Sequence, residues 1–258
     1  MPVGPGRLGV LGWPVAHSRS PAMQEAAFAA TGLSGWAYQR LPVPPHLFAE
    51  TVRALPQSGF VGANVTIPHK EAALALATDA TTTATAIGAA NMLTFADGRM
   101  AADNTDAPGL LAALRGPPPR TALVLGAGGS ARAAVWALTQ AGTDVAIHNR
   151  TPGRAVALAE ALGARATETQ ERADLLVNCT AVGLEDPDAS PVDRIAWPIV
   201  VDLVYGDRET ALIRAARDAG AATLDGLEIL VRQGALSFSR WTGTPAPLDV
   251  MRAAARAA

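Results

Sequence analysis

The sequence predicts an α/β protein of two domains, and three observations carry that prediction. Short apolar runs alternate with alanine-rich stretches along the first part of the chain, the order that builds a mostly parallel sheet covered by helices. Gly116-Pro-Pro-Pro-Arg120 interrupts this pattern, and a second strand–helix series begins at Thr121. That second series opens with a glycine-rich turn, Gly126 to Ala131, set between a strand and a helix.

Taken in order, Leu8 to Gly12 reads as a strand, Pro21 to Thr31 as a helix and Trp36 to Val43 as a second strand. A helix around Leu47 to Leu55 and a strand near Ala63 to Ile67 follow. The stretch from about Asp106 to Leu114 reads as the helix joining the two series. Further strands are expected near 121–125, 144–148, 174–178, 199–204 and 221–224, with helices between them. Thr244-Pro-Ala-Pro-Leu248 starts a last helix that returns to the first domain. The expected domains are therefore 1–104, joined by the terminal helix 244–258, and 105–243.

Composition narrows the class. A chain of 258 residues accommodates two domains, although single α/β domains reach a similar length. Hydrophobic residues make up 49% and charged ones 17%, ordinary for a globular protein. A formal net charge of -2 gives no reason to expect nucleic acid or an anionic membrane as partner. No apolar run approaches the ~20 residues of a membrane span, and Met1 to Arg7 lacks the pattern of a signal peptide. A cytoplasmic protein is expected. The single cysteine, Cys179, excludes an intrachain disulfide and a cysteine-based zinc cluster, and reads as a small buried residue at a strand end. His17, His46, His69 and His148 are scattered without metal-ligand spacing, so no metal is expected.

Gly62-Ala-Asn-Val-Thr-Ile-Pro-His-Lys70 is the most informative stretch. Alternation puts Val65 and Ile67 on the buried face of a strand, and Asn64 and Thr66 together on the other. Pro68 stops the strand just before Lys70, whose ammonium is then placed to donate a proton. Ser18 and Ser20, two apart on an extended segment, suit a carboxylate or hydroxyls; Ser20 also reads as an N-cap before Pro21. Asn91 follows a small-residue turn. In Asp103-Asn-Thr-Asp106, Thr105 reads as an N-cap and Asp106 either as a first-turn acid or as the partner that orients Lys70. Gln233 lies between apolar positions of a late helix, expected to reach the substrate from the second domain.

Gly126, Gly128 and Ala131 occupy the three small-residue places of a dinucleotide fingerprint, with Ala127, Gly129 and Ser130 completing the loop. Gly126 permits the tight turn, Gly128 lets a pyrophosphate approach the backbone, and the helix N-terminus favours its charge. At the end of the next strand, where an acid would hold the ribose of NAD, the chain reads His148-Asn149-Arg150-Thr151-Pro-Gly-Arg154. Arg150 can stack on adenine or pair with a 2′-phosphate, and Arg154 adds a second cation. NADP is the expected cofactor.

Together these motifs resemble the shikimate dehydrogenase family over about Leu8 to Gly243. They are HSRSP at 17–21, NVTIPHK at 64–70, IGAAN at 87–91, DNTD at 103–106, GAGGSAR at 126–132, NRTPGR at 149–154 and DGLEILVRQGA at 225–235. The resemblance implies an N-terminal α/β substrate domain and a C-terminal Rossmann-like dinucleotide-binding domain, with the active site in the cleft between them. It further implies Ser18, Ser20, Thr66, Asn91, Asp106 and Gln233 as shikimate contacts, with Asn64 and Tyr205 close by. Lys70 becomes the proton carrier and Asp106 its partner, and Leu203 and Gly226 line the nicotinamide side. A small-molecule substrate, a monomer or homodimer, and NADPH-driven reduction of 3-dehydroshikimate follow. Gly206-Asp207 after Tyr205, where the family commonly has proline, and Leu110, where an aromatic residue is frequent, depart from the pattern. The alternatives are a quinate/shikimate or aminoshikimate dehydrogenase and, in another class, a non-catalytic NADP-binding module.

Overall fold

The computed structural model describes residues 4–114 and 116–258; residues 1–3, part of the N-terminal segment read above for a signal peptide, lie outside them. The chain divides into two compact units, Met1–Gly109 with Leu230–Ala258, and Leu110–Ile229. The boundary falls within two helices, so the late helix from Leu230 onward, not only 244–258, belongs with the first unit.

In the first unit, β1 (Arg7–Gly12), β2 (Ala37–Pro42) and β3 (Gly62–Val65) run parallel. Helices α1 (Ser20–Ala30) and α2 (Phe48–Ala54) connect them, and α3 (Lys70–Leu76) follows β3. A short strand, β4 (Asp79–Ala80), and helix α4 (Thr82–Ile87) lead to a hairpin, β5 (Met92–Ala96) and β6 (Arg99–Asp103). The sheet order is β2-β1-β3-β5-β6-β4, with β5 antiparallel to both β3 and β6. Asp97 and Gly98, at φ 51° and 71°, form the two-residue turn, the conformation that suits the twist of a hairpin. The expectation of strand and helix in strict alternation missed this hairpin, although Asp-Gly between apolar runs marks it.

Antiparallel pairing has a positional consequence. The start of β5 and the end of β6 lie where β3 ends, since Met92 pairs with both Asn64 and Asp103. Asn91, Asp103 and the residues after it thus arrive beside the loop that delivers Lys70. Helix α5 (Asp106–Ala113) starts there.

The second unit is all parallel. Its strands are β7 (Thr121–Leu125), β8 (Asp144–His148), β9 (Arg165–Ala166), β10 (Leu175–Asn178), β11 (Ile199–Asp202) and β12 (Ala222–Leu224). Helices α6 (Gly129–Gln140), α7 (Pro152–Leu162) and α8 (Ala211–Asp218) cover the sheet. Its order, β12-β11-β10-β7-β8-β9, reverses direction at β7, the switch point at which doubly wound sheets bind nucleotides. Strands covered on both faces need near-continuous apolar runs, and Leu123, Val124, Leu176, Val177, Val200 and Val201 are fully buried.

Helices α9 (Gly226–Thr242) and α10 (Leu248–Ala257) complete the chain. Phe238 and Trp241 of α9 and Met251 of α10 share one core with Met23 and Phe28 of α1. Each such buried side chain contributes roughly 1.5–3 kcal/mol. Arg19 anchors the same face, its guanidinium donating to the Ala255 carbonyl at 3.0 Å. Two local expectations fail. Ile67 is 46% exposed, not a buried strand residue, because β3 ends at Val65. Cys179 is only half-buried, because it lies past the last residue of β10.

Candidate active site

Lys70 begins α3, and its ammonium donates to Asp106 Oδ2 at 2.7 Å, with both side chains largely buried. The other carboxylate oxygen accepts from Asn91 Nδ2 at 2.8 Å. Asp106 is the first residue of α5, and its position is held from behind. Asn104, fully buried, accepts from the Asp106 and Ala107 amides at 3.0 and 3.2 Å. Asn104 is therefore the helix cap, not Thr105. Thr105 instead points inward, its amide donating to Asn91 Oδ1 at 2.7 Å.

Asn91 is the centre of this network. Its amide nitrogen faces Thr105 Oγ1 at 2.9 Å, Asp106 Oδ1 at 2.8 Å and Gln233 Oε1 at 3.1 Å, three acceptors for two hydrogens. Gln233 belongs to the first unit rather than reaching in from the second. Gly109 lets α5 pack closely on α9: a Cβ there would sit 2.9–3.1 Å from Gln233. Asn64 donates to the Asn91 carbonyl at 3.1 Å and Ser237 Oγ at 2.9 Å, and accepts from the Tyr38 hydroxyl at 2.8 Å. Tyr38 and Ser237 were not picked out from the sequence; nothing local marks them, although Ser237 stands one helical turn beyond Gln233 on the same face.

Thr66 is the residue after the last position of β3 and is half-buried. Its amide donates to the Leu11 carbonyl at 2.8 Å, which ties the Lys70 loop to the end of β1. Ser18 and Ser20 follow β1 at that same sheet end and are 3% exposed. Ser18 Oγ accepts from the Ser20 amide at 3.3 Å, whereas Ser20 makes no side-chain cap bond. Arg19 stands at the N-cap position expected of Ser20, which is instead the first residue of α1. His69, also missed, braces the lysine loop: its ring stacks on Phe48 at 4.3 Å and its Nε2 meets the Val43 carbonyl at 2.7 Å. Burial lowers its pKa below the ordinary value, outweighing the opposite pull of the Val43 carbonyl.

In the second unit, Gly126 adopts φ 108°, and a Cβ there would meet the Cys179 backbone at 3.2 Å. A Cβ at Gly128 would meet nothing within 4 Å, so open space lies over the N-terminus of α6. Ala127, Gly129 and Ser130 are half-buried around it, and Ala131 is fully buried against the sheet. Asn149 donates to the Thr151 carbonyl at 2.9 Å, shaping the turn that carries exposed Arg150 and Arg154. Arg154 also reaches the Ala127 carbonyl at 3.5 Å, which links this turn to the glycine loop. An open anion site at a helix N-terminus, with two cations and no carboxylate in 148–154, fits a phosphorylated dinucleotide.

Gly226 packs on Leu203, whose carbonyl would lie 2.4 Å from a Cβ at 226, and Tyr205 is two residues further along the same loop. Asp202 holds that loop: its fully buried carboxylate accepts from Asn178 Nδ2 at 2.9 Å, the Val204 amide at 3.0 Å and Thr210 Oγ1 at 2.6 Å. Burial raises its pKa despite these hydrogen bonds. Among the described residues no cluster of potential metal ligands occurs, and no helix is long and apolar enough to cross a membrane.

Known proteins match nearly the full length of the chain. Residues 10–93 match the shikimate dehydrogenase substrate binding domain, 116–182 the shikimate / quinate 5-dehydrogenase family and 226–256 the shikimate 5′-dehydrogenase C-terminal domain. A shikimate dehydrogenase (NADP(+)) of Thermus thermophilus is 46% identical over 97% of this chain and 98% of its own length. The crystal structure of a Thermus thermophilus shikimate 5-dehydrogenase in complex with NADP(H) and shikimate has a TM-score of 0.89 at 45% identity, covering 97% of this chain and 98% of that one. A ligand-free 5-ketofructose reductase of Gluconobacter sp. strain CHM43 shares the fold at 29% identity, with a TM-score of 0.84 over 98% of this chain and 99% of that one. With a buried lysine–aspartate pair in one unit, a dinucleotide loop in the other and relatives of this identity end to end, the chain belongs to the shikimate dehydrogenase family.

Proposed function

We propose that this chain catalyses the reversible, NADP-dependent reduction of 3-dehydroshikimate to shikimate, a step toward chorismate and the aromatic amino acids. The first unit is the substrate domain and the second the NADP domain. The observation that carries this reading is the buried Lys70–Asp106 ion pair at 2.7 Å, joined through Asn91 to Gln233.

The bound dinucleotide supplies the hydride, and the protein supplies position and charge. Lys70 Nζ donates a proton to the C3 carbonyl oxygen as it becomes an alkoxide, and takes one back in the oxidative direction. Asp106 holds the ammonium and aims it. Because Asn91 Nδ2 faces three acceptors with two hydrogens, one contact yields to a substrate hydroxyl without leaving Asn91 unsatisfied. Asn64 has both amide hydrogens committed within the protein, so it can only accept from a substrate hydroxyl. Ser18, Ser20 and Thr66 complete the substrate contacts, with Tyr205 nearby. Gly126 to Ala131 cradle the pyrophosphate, Asn149 to Arg154 take the adenosine phosphate, and Leu203 and Gly226 face the nicotinamide. A cytoplasmic monomer or homodimer suits this chemistry.

The test is initial rates of nicotinamide reduction with shikimate and quinate, each with NADP⁺ and NAD⁺. Strong activity confined to shikimate with NADP⁺ supports the reading. Comparable rates with quinate or NAD⁺ move it to the dual-substrate relatives. Silence in all four with NADP still bound leaves a binding module.

A further inference from the structure

We propose that Arg40 is a specificity-determining residue of this site, its guanidinium supplying the positive charge beside the Ser18 and Ser20 hydroxyls that draws in a carboxylate substrate. The inference rests on the function proposed above and adds to it the source of charge recognition.

Arg40 sits on β2 opposite Val10 of β1, near the sheet end from which the serine segment departs. Its Nε donates to the Ser18 carbonyl at 2.9 Å, which fixes the plane of the guanidinium against that segment. The two terminal nitrogens have no partner, and no carboxylate pairs with Arg40, among the described residues. Arg40 is exposed, so those donors are open to an arriving ligand. The neighbouring Arg19 is different: it is 8% exposed and spends its guanidinium on the Ala255 carbonyl.

The serines supply geometry but not charge. Both are 3% exposed, and neither hydroxyl hydrogen has an acceptor among the described residues. Two neutral O–H donors match the two oxygens of a carboxylate, yet an anion brought into a buried site needs a compensating cation. Arg40 touches the backbone of one of those serines, so its charge acts on the same spot well within the ~8–10 Å over which salt screens it. The charge reaches the segment in another way: burial lowers the pKa of His17, and Arg40 lowers it further.

The experiment measures steady-state kinetics of wild type, Arg40→Gln and Arg40→Lys with shikimate and with its uncharged methyl ester, at low salt and at about 0.5 M salt. Arg40→Gln is expected to raise the shikimate KM roughly fivefold, the change falling on KM rather than kcat. The ester's KM should be the same in wild type and Arg40→Gln. Arg40→Lys should stay near wild type. Wild-type KM for shikimate should climb with salt, and that of Arg40→Gln should not. An unchanged KM in Arg40→Gln, or equal losses in both variants without salt dependence, overturns the charge role and leaves the functional reading standing. Wild type inactive on shikimate overturns both.

Discussion

The two units hold their functional groups by opposite means. In the first, the site is a closed hydrogen-bond network among buried side chains: Asn64, Asn91, Thr105, Gln233 and Ser237 are each 7% exposed or less. In the second, the groups proposed for the cofactor are backbone and exposed charge, with Gly128 open and Arg150 and Arg154 on the surface. A buried network fixes each donor and acceptor, so its members act together. A glycine turn with exposed cations tolerates change one residue at a time. On the function proposed above, the half proposed to carry the chemistry is coupled, and the half proposed to hold the cofactor is modular.

The largest expected effect is on the coupled side. Lys70→Ala should lower kcat roughly 10²–10⁴-fold, the usual contribution of a general acid, with NADP affinity by titration nearly unchanged. Equal loss of cofactor binding would make the lysine structural and erase the contrast. Arg150→Ala should come next, weakening NADP about tenfold with little change for NAD, as expected for an exposed charge-assisted contact. An unchanged ratio of the two cofactor affinities would refute the phosphate role.

Ser237→Ala removes one of the two acceptors of the Asn64 amide and should cost about 1–2 kcal/mol by denaturant unfolding. Combined with Tyr38→Phe, it should show a coupling of roughly 0.5 kcal/mol or more, because both bonds restrain one amide. Strict additivity would mean that the network is a list of independent contacts.

The smallest effects are in pH, and they have opposite signs in the two units. His69 has a lowered folded pKa, so its stabilisation is present above its unfolded value, about 6.5, and is lost as pH falls. Asp202 has a raised folded pKa, so its contribution is present below its unfolded value, about 3.9, and is lost as pH rises through the folded value. Relative to wild type, the Tm of His69→Gln should therefore improve on acidification below about 6.5. That of Asp202→Asn should improve as pH rises from about 4. Parallel Tm curves for wild type and either variant would sink that assignment.

Much of the fold was legible because its signals are local. Thr121 to Leu125 followed by Gly126-Ala-Gly-Gly states strand, tight turn and helix within one window, and β7, a positive φ at Gly126 and α6 stand there. The hairpin of β5 and β6 was equally local, in Asp97-Gly98, and went unread because strand and helix were expected to alternate. The site was legible only in part. Lys70 and Asp106 stood out as residue types, but their 2.7 Å contact depends on strand order.

By itself, then, the sequence determined the α/β class, the break between two strand series, the dinucleotide turn and the residue types available for chemistry. Each of these follows from side-chain periodicity or glycine freedom over a few neighbours. Only the tertiary structure decided that Gln233 works with the first unit and that Asn104 takes the cap expected of Thr105. It alone decided that Tyr38, Ser237 and His69 hold the site. The contacts of Gln233 and Ser237 with Asn91 and Asn64 join residues 142 and 173 positions apart, and pairing across such distances is set by sheet order and helix packing, which no local pattern encodes.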